Sequence, residues 1–174
     1  LGVVPTTSSL VALAIGDALA SVLMVQRGFN KDDFAKNHPG GELGKQLSLK
    51  VESVMHHVND VAQITEQDSI SDCATKMTEK PLGAALLLDN NKLLGIVTEG
   101  DIRKSIATSN DLSQPIKKFI NYNPIAVNPS ISILDAMKVM EDRSSQISVL
   151  PIVDGKSNCL GLLTLHDLYQ TKLV

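Results

Sequence analysis

The residues with the clearest chemical potential are a threonine and an aspartate three positions apart, a pair that the chain contains twice. The first pair, Thr98 and Asp101, lies in the heptapeptide GIVTEGD, and the second, Thr164 and Asp167, lies in GLLTLHD. In both copies an apolar run typical of a strand ends where a helix is expected to begin. An aspartate at that point can cap backbone N–H groups, and the start of a helix favours anions.

A hydroxyl, a carboxylate and free N–H donors at one place suit a ribose-phosphate. The carboxylate accepts hydrogen bonds from the ribose hydroxyls, while the threonine and the N–H groups bind the phosphate. The alternative for each copy is that Asp101 and Asp167 serve only as helix caps.

The two copies differ in the side chains that follow the threonine. The first copy has Gly100, Arg103 and Lys104, which offer room and positive charge for a phosphate, although such basic residues on a helix are often only solvated. The second copy has His166, which is either part of the cap or a ligand contact. We therefore expect the first copy to be the occupied one.

A different kind of candidate is the lone histidine in the segment NKDDFAKNHPGGELGKQL, residues 30–47. An imidazole changes protonation near neutrality, so His38 can serve as a general acid or base. Pro39 disfavours the helical conformation at His38, and the glycines let the backbone approach a ligand or a neighbouring subunit closely. The alternative is a structural histidine in a junction loop.

The Thr-x-x-Asp pairs are positioned by two copies of one unit, which we place at residues 48–110 and 111–174. Each copy is expected to contain, in order, a strand, a helix, two strands and a helix. In the first copy these elements are predicted at Val61–Thr65, Ile70–Lys80, Ala84–Leu88, Leu93–Thr98 and Asp101–Ala107. In the second they are predicted at Ile125–Val127, Ile131–Asp142, Ile147–Val153, Cys159–Thr164 and His166–Lys172. Because one unit is too small to bury much surface alone, the two copies should pack face to face.

Residues 1–47 have a different pattern. Hydroxyl residues from Thr6 to Ser9 can cap a long apolar helix that stops at Gly28, and Asn30 is expected to cap a short second helix that ends at Pro39. We predict that the apolar run is a poor membrane span, because Gly, Asp and Ser interrupt it. The absence of an initial Met, and a start inside an apolar segment, suggest the C-terminal fragment of a larger protein.

The bulk composition narrows the possible function classes. The chain has 174 residues, 43% hydrophobic and 20% charged, with a net charge of −3 and only 3% aromatic residues. An acidic, aromatic-poor chain is unsuited to binding nucleic acids. Cys73 and Cys159 are far apart and have no metal-ligand spacing, so we expect reduced thiols, a cytoplasmic location and no metal site.

The repeated GIVTEGD and GLLTLHD heptapeptides, at matched positions in two matched units, resemble a tandem pair of CBS domains. The resemblance covers residues 51–174 and implies an α/β fold of two βαββα repeats. In CBS pairs that bind nucleotides, the matching threonine and aspartate contact the ligand. The resemblance therefore implies that Thr98, Asp101, Thr164 and Asp167 are nucleotide-binding residues.

The N-terminal residues resemble the end of a sugar isomerase domain, and more narrowly the D-arabinose 5-phosphate isomerase family. The motifs are PTTSS, GDALA and the HPGGELG junction, with Asn37 where serine is more usual. The resemblance implies a parent enzyme that interconverts D-ribulose 5-phosphate and D-arabinose 5-phosphate for Kdo and lipopolysaccharide biosynthesis. It implies an active-site role for His38. We expect this chain alone to be inactive, because the remaining catalytic residues lie outside it.

Two functions follow as hypotheses. In the first, the pair is a regulatory module that binds a nucleotide or nucleotide sugar, such as CMP-Kdo or AMP/ATP, and requires no cofactor. In the second, the pair is architectural, joins the isomerase subunits and binds no ligand. In either case the resemblance implies self-association, as a dimer or within a tetrameric parent, with no nucleic acid or membrane partner.

Overall fold

The structure is a computed structural model that describes residues 6–30, 33–34, 37–38, 40–41, 44, 49–108 and 111–171. The chain divides into two compact units, Leu1–Leu47 and Ser48–Val174. The predicted helix ends at Pro39 and Lys172 lie outside the described residues.

The first unit contains one long helix, α1 (Thr6–Gln26). Gly28 has a φ of +60°, a left-handed conformation that suits glycine just beyond a helix C-terminus. Asn30 accepts a hydrogen bond from Asp33 N at 3.1 Å, and Asn30 N donates back to the Asp33 carboxylate at 3.2 Å. Asn30 therefore makes the capping interaction that the sequence predicts.

The apolar side chains of α1 are exposed, with Leu13 at 70% and Val25 at 83%. By length and composition alone, α1 is long and apolar enough to cross a membrane. A single helix of this kind is weak evidence, because the core helix of a soluble protein has the same composition.

The second unit contains two three-stranded sheets. The first repeat contributes β2 (Ala62–Ile64), α2 (Ile70–Glu79), β3 (Ala84–Asp89), β4 (Lys92–Thr98) and α3 (Glu99–Thr108). The second repeat contributes α4 (Ile133–Glu141), β5 (Val149–Val153), β6 (Cys159–Thr164) and α5 (Leu165–Gln170). In the first sheet β2 is parallel to β3, and β3 is antiparallel to β4.

The predicted strand Ile125–Val127 is reduced to one residue, Val127, which forms a parallel bridge with Ile152. Val127 N donates to Pro151 O at 3.1 Å, and Val153 N donates to Val127 O at 2.9 Å. In a regular parallel ladder the next bond would run from the N–H of residue 151 to Ile125 O. Proline has no N–H, so the ladder stops at Val127.

The edge of the second sheet is formed by residues from the other end of the unit. Strand β1 (His56–His57) pairs antiparallel with β6, so the second sheet has the order β1-β6-β5. The first sheet has a counterpart, because Asn121 forms an antiparallel bridge with Ile96 of β4. The segment before the first repeat therefore pairs with the sheet of the second repeat, and the segment before the second repeat pairs with the sheet of the first.

The two sheets pack face to face, as the sequence predicts. The shared core contains Val61, Ala84, Leu86 and Ile96 from the first repeat and Val149, Cys159 and Leu162 from the second. Each sheet covers its other face with its own helices, where Cys73 and Met77 of α2 and Met140 of α4 are buried. Burial on both faces explains why the strands β3 and β5 are continuous apolar runs.

Candidate functional site

A cleft of about 1160 Å³ runs between the two repeats, and both Thr-x-x-Asp pairs line it. Two groups of residues within it are named here by their aspartates. The Asp101 half comprises Thr98, Gly100, Asp101, Arg103 and Asn121. The Asp167 half comprises His56, Thr164, His166, Asp167 and Gln170.

In the Asp101 half, Thr98 and Asp101 form a reciprocal cap at the start of α3. Asp101 Oδ2 accepts hydrogen bonds from Thr98 N at 2.8 Å and from the Thr98 hydroxyl at 2.7 Å. Asp101 N donates to Thr98 Oγ1 at 3.4 Å. The hydroxyl hydrogen of Thr98 is thus committed to the aspartate, so a phosphate in this half must find other donors.

The start of α3 leaves one N–H for a ligand. A helix has four N-terminal N–H groups without an intrahelical partner. Here those of Thr98 and Asp101 are used in the cap, and Glu99 N donates to Gly83 O at 3.1 Å. The remaining donor is Gly100 N, which lies in the cleft wall with the Arg103 side chain. The second carboxylate oxygen of Asp101, Oδ1, has no hydrogen-bond partner within residues 49–108 and 111–171.

The Asp167 half has the same cap. Asp167 Oδ2 accepts from Thr164 N at 2.9 Å and from the Thr164 hydroxyl at 2.7 Å, and Asp167 N returns a bond to Thr164 Oγ1 at 3.2 Å. Leu165 N donates to Ser148 O at 2.8 Å, as Glu99 N does to Gly83 O in the other half. The remaining donor is His166 N.

The second oxygen of Asp167 is already engaged. His56 Nε2 lies 3.1 Å from Asp167 Oδ1, with the two side chains 36% and 16% exposed. Because an ionised carboxylate only accepts, the imidazole is the donor. The neighbouring imidazole of His166 is also engaged, since its Nε2 lies 2.7 Å from Gln170 Nε2.

The residue that corresponds to His56 in the Asp101 half is Asn121. Both precede a repeat and pair with the strand that carries the motif, His56 with Leu162 and Asn121 with Ile96. The side-chain amide oxygen of Asn121, Oδ1, accepts a hydrogen bond from Asn123 N at 3.0 Å, so this side chain stabilises the turn that follows it. Within the described part of the CBS pair, Asn121 makes no hydrogen bond to Asp101 Oδ1.

The predicted site residues fall into three groups. Six of them line the cleft together: Thr98, Asp101, Arg103, Thr164, His166 and Asp167. Lys104 is exposed and does not line it. His38 lies in the first unit, where it is exposed and its ring centroid is 4.7 Å from that of Phe34.

Several cleft residues were missed by sequence reasoning, among them His56, Asn121 and Arg143. Strand β1 has only two residues, too few for a strand pattern to be visible in the sequence. A signal for it exists in the glycines at the start of the two heptapeptides. A Cβ on Gly161 would lie 1.9 Å from His56 O, which indicates that another backbone crosses β6 at this point.

The model of the CBS domain family matches residues 51–108 and 116–172. The chain belongs to the CBS domain family. The two repeats are accordingly a CBS pair, and the capped threonine and aspartate occur once in each CBS domain.

The chain is also similar to curated isomerases along nearly its whole length. It is 40% identical over 172 residues to the arabinose 5-phosphate isomerase KdsD of Pseudomonas aeruginosa, which covers 98% of this chain and 52% of that protein. The resemblance to the arabinose 5-phosphate isomerase family is thus confirmed. The chain spans about half the length of the curated relatives it matches.

Solved CBS pairs share the fold. The structure of CBSX2 in complex with AMP has a TM-score of 0.60 at 20% identity and covers 72% of this chain and 96% of its own. The CBS pair of MJ0100, in complex with 5-methylthioadenosine and S-adenosyl-L-methionine, has a TM-score of 0.62 at 22% identity and covers 71% and 94%. Together with the family match, they confirm the predicted tandem CBS architecture.

Proposed function

We propose that this CBS pair is the ligand-sensing module of an arabinose 5-phosphate isomerase and that it binds a ribonucleotide or a nucleotide sugar in the cleft. The observation that carries the proposal is the Asp101 half. There Asp101, Gly100 and Arg103 line one cleft, and within residues 49–108 and 111–171 Asp101 Oδ1 and Gly100 N have no hydrogen-bond partner. An acceptor beside a donor and a cation matches a ribose diol beside a phosphate.

The ligands of the similar structures favour the same chemical class. AMP, methylthioadenosine and S-adenosylmethionine each contain a ribose. Among candidates for this chain, CMP-Kdo couples the pair to Kdo supply, because an end product that binds a regulatory site adjusts flux to demand. AMP and ATP are the other nucleotides we propose.

The whole protein, in this proposal, interconverts D-ribulose 5-phosphate and D-arabinose 5-phosphate in the cytoplasm, as a tetramer to which the CBS pairs contribute dimer contacts. His38 acts there as an active-site acid or base. The 174-residue chain should be inactive with D-ribulose 5-phosphate, with full-length KdsD from Pseudomonas aeruginosa as the positive control. Isomerase turnover by the chain alone would contradict this assignment of catalysis to other residues.

Binding is tested by following the melting temperature of the chain with AMP, ATP, CMP and CMP-Kdo, and by calorimetric titration of each compound that shifts it. A ligand that binds only the folded state raises stability by about 2.7 kcal/mol at a hundredfold excess over its Kd. We expect at least one nucleotide to raise the melting temperature. If none does so at millimolar concentration, the architectural role replaces the sensing role, and both aspartates are only helix caps.

A further inference from the structure

We propose that His56 sets the ligand stoichiometry of the cleft, by closing the Asp167 half so that the pair takes one ribosyl ligand per chain, in the Asp101 half. This inference rests on the proposed nucleotide-binding function and names the residue that makes the two CBS domains unequal.

The first step is the symmetry of the two caps. In each half, Oδ2 of the aspartate holds the helix start through two hydrogen bonds, at 2.8 and 2.7 Å for Asp101 and at 2.9 and 2.7 Å for Asp167. A ribose can therefore use only Oδ1 without breaking the cap. The availability of Oδ1 decides whether a half can accept the ribose diol.

The second step is the difference at Oδ1. His56 Nε2 lies 3.1 Å from Oδ1 of Asp167, while Oδ1 of Asp101 has no partner in the described part of the CBS pair. A ribose entering the Asp167 half must displace the imidazole and lose a hydrogen bond to a carboxylate, which contributes about 1.5–3 kcal/mol. That free energy corresponds to roughly a tenfold to hundredfold weaker affinity.

The third step is that the position of His56 is fixed by the fold. Its backbone pairs with Leu162 of β6. The two strands lie so close together that a Cβ on Gly161, the residue before Leu162, would clash with His56 O. The pairing of β1 with β6 thus places the imidazole beside Asp167. Cleft size does not limit the stoichiometry, since about 1160 Å³ exceeds the roughly 300–1,000 Å³ of ordinary ligand pockets.

The counterpart residue explains why the other half stays open. Asn121 is shorter than histidine and accepts a hydrogen bond from Asn123 N at 3.0 Å, and in residues 49–108 and 111–171 it forms no hydrogen bond with Asp101. Exchanging the residue types at positions 56 and 121 should therefore exchange the behaviour of the two halves.

The test is isothermal titration calorimetry of the full 174-residue chain with AMP and, separately, with CMP. We expect one site per chain in the wild type and two in His56→Ala. His56→Gln keeps an N–H donor near the Nε2 position and should remain at one site. His57→Ala is the matched control, since this exposed neighbour does not line the cleft, and it should also remain at one site.

The converse variant is Asn121→His, which places an imidazole beside Asp101 and should weaken binding at least tenfold. If His56→Ala fails to fold, as judged by circular dichroism, His56→Ser also removes the imidazole and is titrated in its place. Two equal sites in the wild type, one site in His56→Ala, or unchanged affinity in Asn121→His would each overturn the inference while the proposed function stands. Absence of binding of AMP, ATP, CMP and CMP-Kdo to both the wild type and His56→Ala would overturn the proposed function itself.

Discussion

The two halves of the cleft share one local structure and differ in what crosses it. Both begin with a strand, a threonine and an aspartate that form the same reciprocal cap, and both leave one backbone N–H facing the cleft. The crossing segment brings His56 to the Asp167 half and Asn121 to the Asp101 half. A repeated motif therefore need not mean a repeated site, because the partner of the second carboxylate oxygen comes from outside the motif.

The largest expected effect concerns the glycines where the crossing segments pass. A Cβ at Gly161 would lie 1.9 Å from His56 O, a backbone atom that cannot move without breaking β1–β6 pairing. At Gly95 the nearest atom is Ile120 Cγ2, at 2.6 Å, and the nearest backbone atom is Asn121 O, at 3.1 Å, so the backbone crosses less closely there. Overpacking of this kind costs about 1–3 kcal/mol and sometimes more.

We therefore expect Gly161→Ala to lower the free energy of unfolding by about 3 kcal/mol and Gly95→Ala by about 1–2 kcal/mol, measured by urea denaturation. Gly155→Ala is the control, since nothing lies within 4 Å of its Cβ position. Equal losses at positions 95 and 161 would contradict the view that the two crossings differ in tightness.

The next effect is on affinity and compares the two aspartates. Asp101→Asn keeps an oxygen for the cap but replaces a carboxylate acceptor, so we expect roughly tenfold to hundredfold weaker nucleotide binding by calorimetry. Asp167→Asn should change the affinity less than threefold, because its Oδ1 already holds His56. A larger loss from Asp167→Asn than from Asp101→Asn would reverse the assignment of the occupied half.

The smallest effect concerns Cys73, on the helix that covers the first sheet. Burial of Cys73, with a smaller effect of Asp68, raises the pKa of the thiol from 9.0 to about 11. Since the folded state holds this proton more tightly, its contribution to stability is complete below pH 9 and is lost as the pH rises towards 11.

We expect Cys73 to react with a thiol reagent at pH 8 only after unfolding, and Cys159, whose pKa burial also raises, to behave alike. Cys73→Ala should remove part of the fall in stability between pH 9 and 11. Rapid modification of Cys73 in the native chain would show that α2 opens independently of the rest of the pair.

Much of the CBS pair could be predicted from sequence, for reasons that are local. The caps follow from Thr-x-x-Asp at a strand end, and β6 was predicted at Cys159–Thr164, as observed. The small size of each unit predicts that the two copies pack face to face, and the shared core of the two sheets confirms it.

What could not be predicted is non-local. The pairing of His56 with β6 joins residues more than a hundred positions apart and carries no periodic signal of its own. The loss of the strand at Ile125 depends on Pro151, a residue of the partner strand, which cannot donate the required bond. The contact between His56 and Asp167 follows from that pairing, so the inequality of the two sites appears only in three dimensions.

The central claim is that a ribonucleotide binds with its ribose on Asp101 Oδ1. The most direct test is a crystal structure of the chain grown with the nucleotide that gives the largest melting shift. The account predicts ligand density in the Asp101 half, with ribose hydroxyls within hydrogen-bond distance of Asp101 Oδ1, and His56 still bonded to Asp167. Density in the Asp167 half with His56 displaced, and none beside Asp101, would contradict it.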